Sequence, residues 1–231
     1  MKFFLKRIKK ELIAIKLIRK PKIFVISFQR TGTTSTGRFL SDHNYRVATY
    51  SISKRNNWTL KWFKGDFEKI FNSLEFKSHQ VFEDDPWWCG DFYKVLFHRC
   101  PNSKFILLER DADKWFDSMI SHSGGKTLGN TYSHSKLYGR EIDYYDLNIQ
   151  STKLYSPEID NLLELDESYR EHYKKVYLLR NREILEFFDQ FGKDRLIHTR
   201  LEDQDKWKKI GKFLNFQVKD GYNIHANKSN K

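Results

Sequence analysis

The sequence feature that most constrains the fold is a short apolar segment that leads directly into a turn containing glycine. Residues Lys22–Phe28 are mainly β-branched and aromatic, which is typical of a buried strand in a parallel sheet. The segment Gln29–Thr33 predicts a turn around Gly32, and Thr34–Ser41 predicts a helix. A strand, turn and helix in this order point backbone N–H groups and the positive end of a helix dipole at one place. We therefore expect a phosphate to bind there, as part of a nucleotide.

The turn differs from the nucleoside-triphosphate loop G-x-x-x-x-G-K-[ST] at two positions. Ser27 occupies the place of the first glycine, and Thr33 occupies the place of the lysine that serves a γ-phosphate. Arg30 stands earlier in the turn, while Thr34 fits the Ser/Thr position. This pattern favours a loop that holds one 5′-phosphate and uses its cation on the adjoining group. The alternative is a chance Gly-Thr-Thr turn that caps a helix.

The remaining chain alternates segments of strand and helix character. Strands are predicted at Gln80–Glu83, Lys104–Glu109 and Arg195–Thr199. Helices are predicted at Lys2–Lys20, Trp58–Leu74, Trp88–His98, Asp113–His122 and Asp205–Leu214, with one long or two shorter helices over Pro157–Phe191. Residues Ser123–Ser156 predict a long loop that can include one short helix. The alternation predicts an α/β fold with a central, mostly parallel sheet flanked by helices.

A second candidate anion site follows the predicted strand Lys104–Glu109. Arg110 comes directly after this strand, and Ser118 lies eight residues later within the next predicted helix. A guanidinium at the carboxyl end of a strand can contact a phosphate through two N–H groups, and a hydroxyl can complete the contact. The alternative for Arg110 is a surface ion pair with Asp111 or Asp113.

These two segments resemble the nucleotide-binding motifs of the sulfotransferases, in the branch described as P-loop sulfotransferase-like. Gln29–Ser35 is similar to the 5′-phosphosulfate loop of that family, and Arg110 with Ser118 is similar to its 3′-phosphate site. Further similarity extends from about residue 22 to 228 and is carried by Asp84–Pro86, Pro101–Leu107, Arg110–Trp115, Arg195–Ile197, the helix of Trp207 and His225–Asn227. The chain departs from the pattern at Ser27, at Ala112 and in its basic N-terminal segment.

The resemblance implies a three-layer P-loop fold over residues 22–231 and transfer of a sulfuryl group from 3′-phosphoadenosine 5′-phosphosulfate. The acceptor is a hydroxyl or amine, and the other product is adenosine 3′,5′-bisphosphate. The predicted loop Ser123–Ser156, rich in Tyr and polar residues, would suit a carbohydrate as the acceptor. The implied nucleotide-binding residues are Arg30, Thr31, Gly32, Thr33, Thr34, Ser35, Arg110 and Ser118. Arg30 is also implied to contact the transferred group. No metal is expected, and no carboxylate constellation for Mg²⁺ is evident.

Acidic residues follow the predicted strand Gln80–Glu83, where many sulfotransferases place a catalytic base. Adjacent carboxylates raise each other's pKa, which suits a base. Asp84 fits the Asp-x-Pro pattern best, and Asp85 and Glu83 are close rivals. The alternative is that Asp85 caps a helix whose first residue is Pro86.

The N-terminal segment carries most of the formal charge of +12. Residues 1–22 contain nine Lys or Arg and one Glu, a net charge of +8. Residues 1–21 predict a basic amphipathic helix that either packs on the domain of residues 22–231 or lies at a membrane surface. Lysines interrupt every apolar stretch that could form a signal peptide, and two cysteines are too few for a disulfide framework. We expect a cytoplasmic protein, free or peripheral to a membrane.

Two further hypotheses belong to other functional classes. A P-loop nucleotide kinase-like enzyme would need a lysine after Gly32, where the chain has Thr33. A non-enzymatic basic module would bind membrane or nucleic acid through residues 1–22 alone, although nucleic acid is not an expected partner.

Overall fold

A parallel sheet of five strands organises the protein in the computed structural model, which describes residues 2–122, 132–143 and 165–224. The strands are β1 (Ile23–Val25), β2 (Val47–Ala48), β3 (Val81–Phe82), β4 (Lys104–Glu109) and β5 (Leu196–Arg200). Their order is β2-β3-β1-β4-β5, and every pair is parallel. The prediction of an α/β fold with a parallel sheet is thus confirmed.

Eleven α-helices lie in the described ranges. They are α1 (Lys2–Leu17), α2 (Thr33–Asp42), α3 (Tyr50–Arg55), α4 (Trp58–Phe63), α5 (Phe67–Phe71), α6 (Leu74–Ser78), α7 (Phe92–Arg99), α8 (Ala112–Ser121), α9 (Tyr132–Leu137), α10 (Arg170–Phe191) and α11 (Lys206–Phe213). Short 3₁₀ helices at Glu167–Tyr169 and Lys193–Arg195 precede α10 and β5.

The predicted helix Trp58–Leu74 is wrong as a single element. Gly65 has a φ of +72°, a left-handed conformation that ends α4. The side chain of Ser73 then accepts a hydrogen bond from the Phe76 N–H at 3.2 Å and caps the separate helix α6. Backbone turns therefore divide the segment into three short helices.

The other differences concern short elements and one long segment. Strand β2 and helix α3 were not predicted, because their few residues show no periodicity. Helix α9 agrees with the short helix allowed within the predicted loop Ser123–Ser156, whose residues 123–131 and 144–156 fall outside the described residues. Residues 157–164 of the predicted Pro157–Phe191 helical segment also fall outside them.

Side chains of the central strands alternate between the two faces of the sheet, so that each face has its own core. On one face, Ile23 and Val25 of β1 and Ile106 and Leu108 of β4 are buried. They pack with residues of α2 and α11, namely Phe39, Leu40, Trp207 and Ile210. This face is therefore covered by two helices.

The opposite face is covered by aromatic side chains. Phe24 of β1 lies 5.2 Å from Phe82 and 5.6 Å from both Trp87 and Phe105, measured between ring centroids. Phe76 of α6 stacks on Phe82 at 4.7 Å. Trp87 and Trp88 are fully buried, so both side chains belong to the core.

Arg195 joins α7 to the start of β5 through hydrogen bonds to main-chain carbonyls. Its guanidinium donates to the carbonyl oxygens of Phe97, Cys100 and Ser103 at 2.8–3.1 Å. It also donates to the Ser103 hydroxyl at 2.8 Å and lies 3.8 Å from the Phe97 ring centroid. The orphan carbonyls at the end of α7 are therefore satisfied by a side chain.

The chain divides into two compact units. The first unit comprises residues 1–109 and 190–231 and contains the sheet. The second comprises residues 110–189 and contains α8, α9 and most of α10. Among the described residues, no helix combines the length and the apolar character needed to cross a bilayer.

We predict that Arg195→Met lowers the free energy of unfolding by about 2–4 kcal/mol, because it leaves several carbonyls without a charged donor. Arg182→Met is the matched control, since Arg182 is exposed on α10 and its ion pair with Glu186 is a long surface contact, 3.8 Å from Nε to Oε1. The control should change stability by less than about 0.5 kcal/mol. Urea unfolding measures both variants, and equal stabilities would contradict a structural role for Arg195.

Candidate functional site

The turn after β1 adopts left-handed backbone conformations at two positions. Arg30 has a φ of +65° and Gly32 a φ of +89°. The Thr31 hydroxyl donates a hydrogen bond to the Phe28 carbonyl and closes the turn on itself. We call this segment, Gln29–Gly32, the glycine turn. It reverses the chain tightly enough for α2 to begin at Thr33.

Gly32 is favoured mainly by its left-handed conformation, and also by the close approach of another side chain. A Cβ atom at this position would lie 2.7 Å from Cδ1 of Leu201, which follows β5. A left-handed φ also disfavours any residue with a side chain. The predicted importance of this glycine therefore has a clear structural basis.

The first turn of α2 presents backbone donors next to the glycine turn. The Thr36 N–H donates to the Gly32 carbonyl at 2.9 Å, which is the first hydrogen bond of the helix. The N–H groups of Thr33, Thr34 and Ser35 precede that bond, at the positive end of the helix dipole. The Thr33 side chain is buried, that of Ser35 is half-buried and that of Thr34 is exposed. This arrangement suits an anion.

Ser27 fixes the end of β1 against β4. Its hydroxyl oxygen accepts a hydrogen bond from the Leu108 N–H at 2.6 Å and donates to the Ile106 carbonyl at 3.4 Å. The Ile26 N–H donates to the same carbonyl at 3.0 Å. Ser27 is fully buried, so the residue that departs from the family pattern holds two strands together.

The acidic cluster Glu83–Asp85 follows β3, which lies next to β1. Because the two strands are parallel, the cluster and the glycine turn leave the same edge of the sheet. A Cβ atom on Gly37 of α2 would lie 3.0 Å from Cγ of Glu83, so the glycine leaves room for this side chain. The structure thus brings the glycine turn, α2 and the acidic cluster together within the first unit.

Glu83 is the most deeply buried carboxylate of the cluster. It is 2% exposed, and its Oε2 has no hydrogen-bond partner in the described part of the chain. Burial, and next the negative charge of Asp84, raise the pKa of Glu83 to about 8, while a hydrogen bond from the Tyr50 backbone opposes the shift. Glu83 therefore retains its proton at neutral pH.

Asp84 and Asp85 differ in exposure and in partners. Asp84 is half-buried, has a φ of +69° and accepts a hydrogen bond from the Asp85 N–H at 2.8 Å. Asp85 is buried, and the Cys89 thiol approaches its carboxylate at 3.9 Å. The alternative in which Asp85 caps a helix starting at Pro86 is wrong, because α7 begins only at Phe92.

Tyr50, the first residue of α3, is near this cluster. Burial, followed by the negative charges of Asp85 and Asp84, raises the pKa of its phenol. Nearly half of its surface remains exposed. Sequence reasoning missed Tyr50, since nothing in the local sequence connects it with a cluster more than thirty residues later.

The remaining candidate residues, Arg110 and Ser118, belong to the second unit. Arg110 precedes α8 and Ser118 lies in its second half; both are half-buried. The Tyr177 hydroxyl accepts from the Arg110 N–H at 2.8 Å and donates to the Arg110 carbonyl at 3.0 Å. Tyr177 also stacks on Trp115 at 4.4 Å between ring centroids. The backbone of Arg110 is therefore held from both sides by one side chain.

Asp111 and Asp113, the suggested ion-pair partners of Arg110, have other contacts. The Asp111 carboxylate accepts from the Lys114 N–H at 3.0 Å and caps α8. Asp113 pairs with Arg170 at 3.3 Å and with Lys174 at 2.8 Å. His225–Asn227, part of the resemblance, lies outside the described residues.

Comparison with known proteins identifies a family match that covers most of the chain. Residues 22–231 match the family described as Sulfotransferase domain. Among solved structures, the chain is similar to a sulfotransferase from Alicyclobacillus acidocaldarius, with 13% sequence identity, a TM-score of 0.47 and coverage of 90% of this chain and 87% of the other. No curated protein matches the chain.

We predict that the unmodified protein loses stability as the pH rises, because Glu83 ionises, and that Glu83→Gln does not show this loss. The folded protein holds a proton on Glu83 up to a pKa of about 8, whereas the unfolded chain releases it near the ordinary value of 4.5. Ionisation of Glu83 therefore disfavours folding over this interval, by up to about 1.4 kcal/mol per pH unit.

The measurement is urea unfolding of both proteins at about pH 5 and about pH 8. The free energy of unfolding of Glu83→Gln, relative to that of the unmodified protein, should rise by about 2 kcal/mol or more from about pH 5 to about pH 8. Glu186→Gln, on the exposed surface of α10, should leave the pH dependence unchanged. Parallel pH profiles for all three proteins would show that Glu83 ionises normally.

Proposed function

Since the chain belongs to the sulfotransferase family, we propose that it transfers a sulfuryl group from 3′-phosphoadenosine 5′-phosphosulfate to a hydroxyl or amine of an acceptor. The observation that carries this proposal is the glycine turn, with left-handed backbone at Arg30 and Gly32 directly before the start of α2. The nucleotide supplies an activated sulfuryl group whose leaving group is a phosphate.

The 5′-phosphosulfate is assigned to the glycine turn and the start of α2. The backbone N–H groups of Gly32, Thr33, Thr34 and Ser35 and the hydroxyl groups of Thr34 and Ser35 are the proposed phosphate donors. The guanidinium of Arg30 is assigned to the sulfuryl oxygens and the bridging oxygen, where negative charge increases during transfer. Thr31 shapes the turn, because its hydroxyl bonds to the Phe28 carbonyl.

The 3′-phosphate is assigned to Arg110 and Ser118. Support comes from the clamp that Tyr177 places on both backbone polar groups of Arg110. A guanidinium on a fixed backbone loses less conformational freedom when it binds a phosphate. Tyr177 is thus proposed as a positioning residue for Arg110.

The proposed reaction is an in-line displacement at sulfur. The acceptor oxygen or nitrogen forms a bond to sulfur while the bond from sulfur to the 5′-phosphate oxygen breaks, and the acceptor proton passes to a base. The electron pair of the broken bond leaves on the phosphate, which gives adenosine 3′,5′-bisphosphate. The Arg30 cation and the N–H groups of α2 stabilise that charge.

Asp84 is the proposed base. Its half-buried carboxylate can be reached by an acceptor, and the Asp85 N–H fixes one of its oxygens. The raised pKa keeps Glu83 mostly protonated at neutral pH, and its side chain is buried beneath α2, so it is less accessible to an acceptor than Asp84. The Asp85 carboxylate is buried beside the Cys89 thiol. The choice of Asp84 over its neighbours therefore rests on access and protonation.

A kinase-like function is the second candidate, and it is less well supported. A γ-phosphate needs a cation after the glycine, and Thr33, which occupies that position, is buried. A carbohydrate acceptor remains a prediction, since the segment that suggested it lies mostly outside the described residues.

We predict that Arg110→Ala weakens binding of adenosine 3′,5′-bisphosphate roughly 30-fold or more, because a charged contact to phosphate is worth about 2–3 kcal/mol. The same variant should bind adenosine 5′-phosphate as well as the unmodified protein does. Arg30→Ala should weaken the binding of both nucleotides by a smaller factor than Arg110→Ala weakens bisphosphate binding, since Arg30 is assigned mainly to the transferred group. Isothermal titration calorimetry measures all three proteins.

Arg182→Ala, on an exposed surface, is the matched arginine control and should bind like the unmodified protein. Tyr177→Phe tests the clamp and should reduce affinity for the bisphosphate alone. Equal affinity of the unmodified protein for the two nucleotides would refute the assignment of Arg110. Tight binding of ATP with Mg²⁺ in place of the bisphosphate would favour the kinase-like alternative.

We predict that Asp84→Asn lowers kcat roughly 100-fold or more while leaving bisphosphate affinity unchanged, because general base catalysis contributes about 10²–10⁴. Release of adenosine 3′,5′-bisphosphate from the sulfate donor, with a panel of hydroxyl and amine acceptors, is the assay. Glu83→Gln should retain most of the activity. A larger loss in Glu83→Gln than in Asp84→Asn would transfer the role of base to Glu83.

A further inference from the structure

Helix α1 packs on the first unit through one side only. Its half-buried residues are Lys10, Ile13, Ala14 and Leu17, which recur at three- and four-residue intervals and share one face. This face contacts α6, and the Lys10 ammonium pairs with Glu75 of that helix. These contacts fix which face of the helix packs on the protein and which face points to solvent.

The opposite side of α1 is apolar and exposed. Its side chains, which we call the outer face, are Phe4, Leu5, Ile8, Leu12 and Ile15. At 100° per residue they fall within an arc of about 100°, centred opposite the packed face. Phe4 and Ile15 are each 67% exposed, so the apolar surface is largely accessible to solvent. Such a contiguous patch marks an interaction surface.

Basic residues border the outer face. Lys9 and Lys16 lie along one edge and are exposed, and Arg7 lies towards the other edge, where it pairs with Glu11 at 3.0 Å. The segment of residues 1–22 carries a net charge of +8. An apolar strip with lysines along one border and the Arg7–Glu11 ion pair along the other, in a segment of net charge +8, is complementary to a bilayer surface, where acyl chains lie beneath anionic headgroups.

We propose that α1 binds the protein to an anionic lipid bilayer, with the outer face inserted among the headgroups and the helix parallel to the membrane plane. The 16 residues of α1 span about 24 Å, and their lysines oppose insertion across the bilayer. Lys9 and Lys16 contact lipid phosphates at the border of the inserted strip.

The charge distribution favours lipid over the other partners of an apolar helix face. A second copy of this chain, docked outer face to outer face, would bring two segments of charge +8 together. A nucleic acid would engage the lysines but would leave the five apolar side chains in water. An anionic bilayer satisfies both the charged and the apolar groups of the helix.

Membrane binding should be separable from nucleotide binding. Helix α1 leads into the amino end of β1, whereas the glycine turn leaves its carboxyl end. The side chains of the outer face are therefore separate from Arg30 and from the rest of the glycine turn, and substituting them should leave that turn unchanged. A bisphosphate titration can report correct folding of each variant independently of lipid.

The test is co-sedimentation of the full chain with vesicles of phosphatidylcholine, with and without phosphatidylglycerol. The unmodified protein should bind the anionic vesicles and bind neutral ones at least tenfold more weakly. The triple variant Ile8→Ser, Leu12→Ser, Ile15→Ser should bind anionic vesicles roughly a hundredfold more weakly, because three apolar side chains no longer insert.

Two further variants complete the design. Lys9→Glu with Lys16→Glu keeps the apolar strip and should weaken binding to anionic vesicles about tenfold or more, with a smaller effect on neutral ones. The matched control is Leu178→Ser with Leu179→Ser, because both leucines are about half-exposed and belong to another helix, α10. This control should bind like the unmodified protein.

Several results would overturn the proposal. Equal binding by the triple variant and the unmodified protein would exclude the outer face as the contact. A dimer in sedimentation velocity that the triple variant abolishes, without any vesicle binding, would identify a second copy as the occupant. If the triple variant fails to fold, the charge-reversed variant decides, and unchanged binding by it would reject anionic lipid.

Discussion

The pairing of β1 with β4 is the constraint on which the candidate site depends. The buried Ser27 hydroxyl bonds to the Leu108 N–H and the Ile106 carbonyl, so the two parallel strands are fixed against each other just where β1 ends. The glycine turn starts two residues after Ser27, and Arg110 follows the last residue of β4. One small polar side chain in the core thus determines where the chain leaves each strand. A glycine at position 27 would leave the Leu108 N–H without its acceptor.

The same strands explain why a three-residue strand suffices at the centre of the sheet. Ile23 and Val25 face α2 and α11, and Phe24 faces the aromatic cluster on the other side. Both faces of β1 are buried, so each of its three residues contributes to a core. Rigidity at this point would favour the proposed anion binding, because N–H groups that are already oriented need no reorganisation when charge develops.

Sequence patterns predicted the elements whose signals are local. Lys104–Glu109 was predicted with the bounds of β4, because a continuous apolar segment bounded by polar residues has one interpretation. The glycine turn could also be predicted from a local signal, since glycine is the residue that most readily takes the left-handed conformation found at position 32. Tyr177 could not, because it reaches Arg110 across 67 residues, and helical periodicity indicates burial but not a hydrogen bond. Asp85 was misjudged as a possible helix cap because an Asp-Pro pair looks the same whether or not a helix follows.

The close approach of Glu83 to Gly37 has a consequence for how such a protein can diverge. The two positions share one volume: a methyl group at 37 would press on Cγ of Glu83 and approach Val47 at 3.4 Å. Alanine at 37 would fit without displacing its neighbour only beside a side chain at 83 that has no γ-carbon, because aspartate keeps a γ-carbon at the point of contact. Changes at these two sites should therefore be inherited as a pair, and a residue larger than glycine at position 37 of a distant homologue should forecast a smaller residue in place of the acid at the end of its third strand.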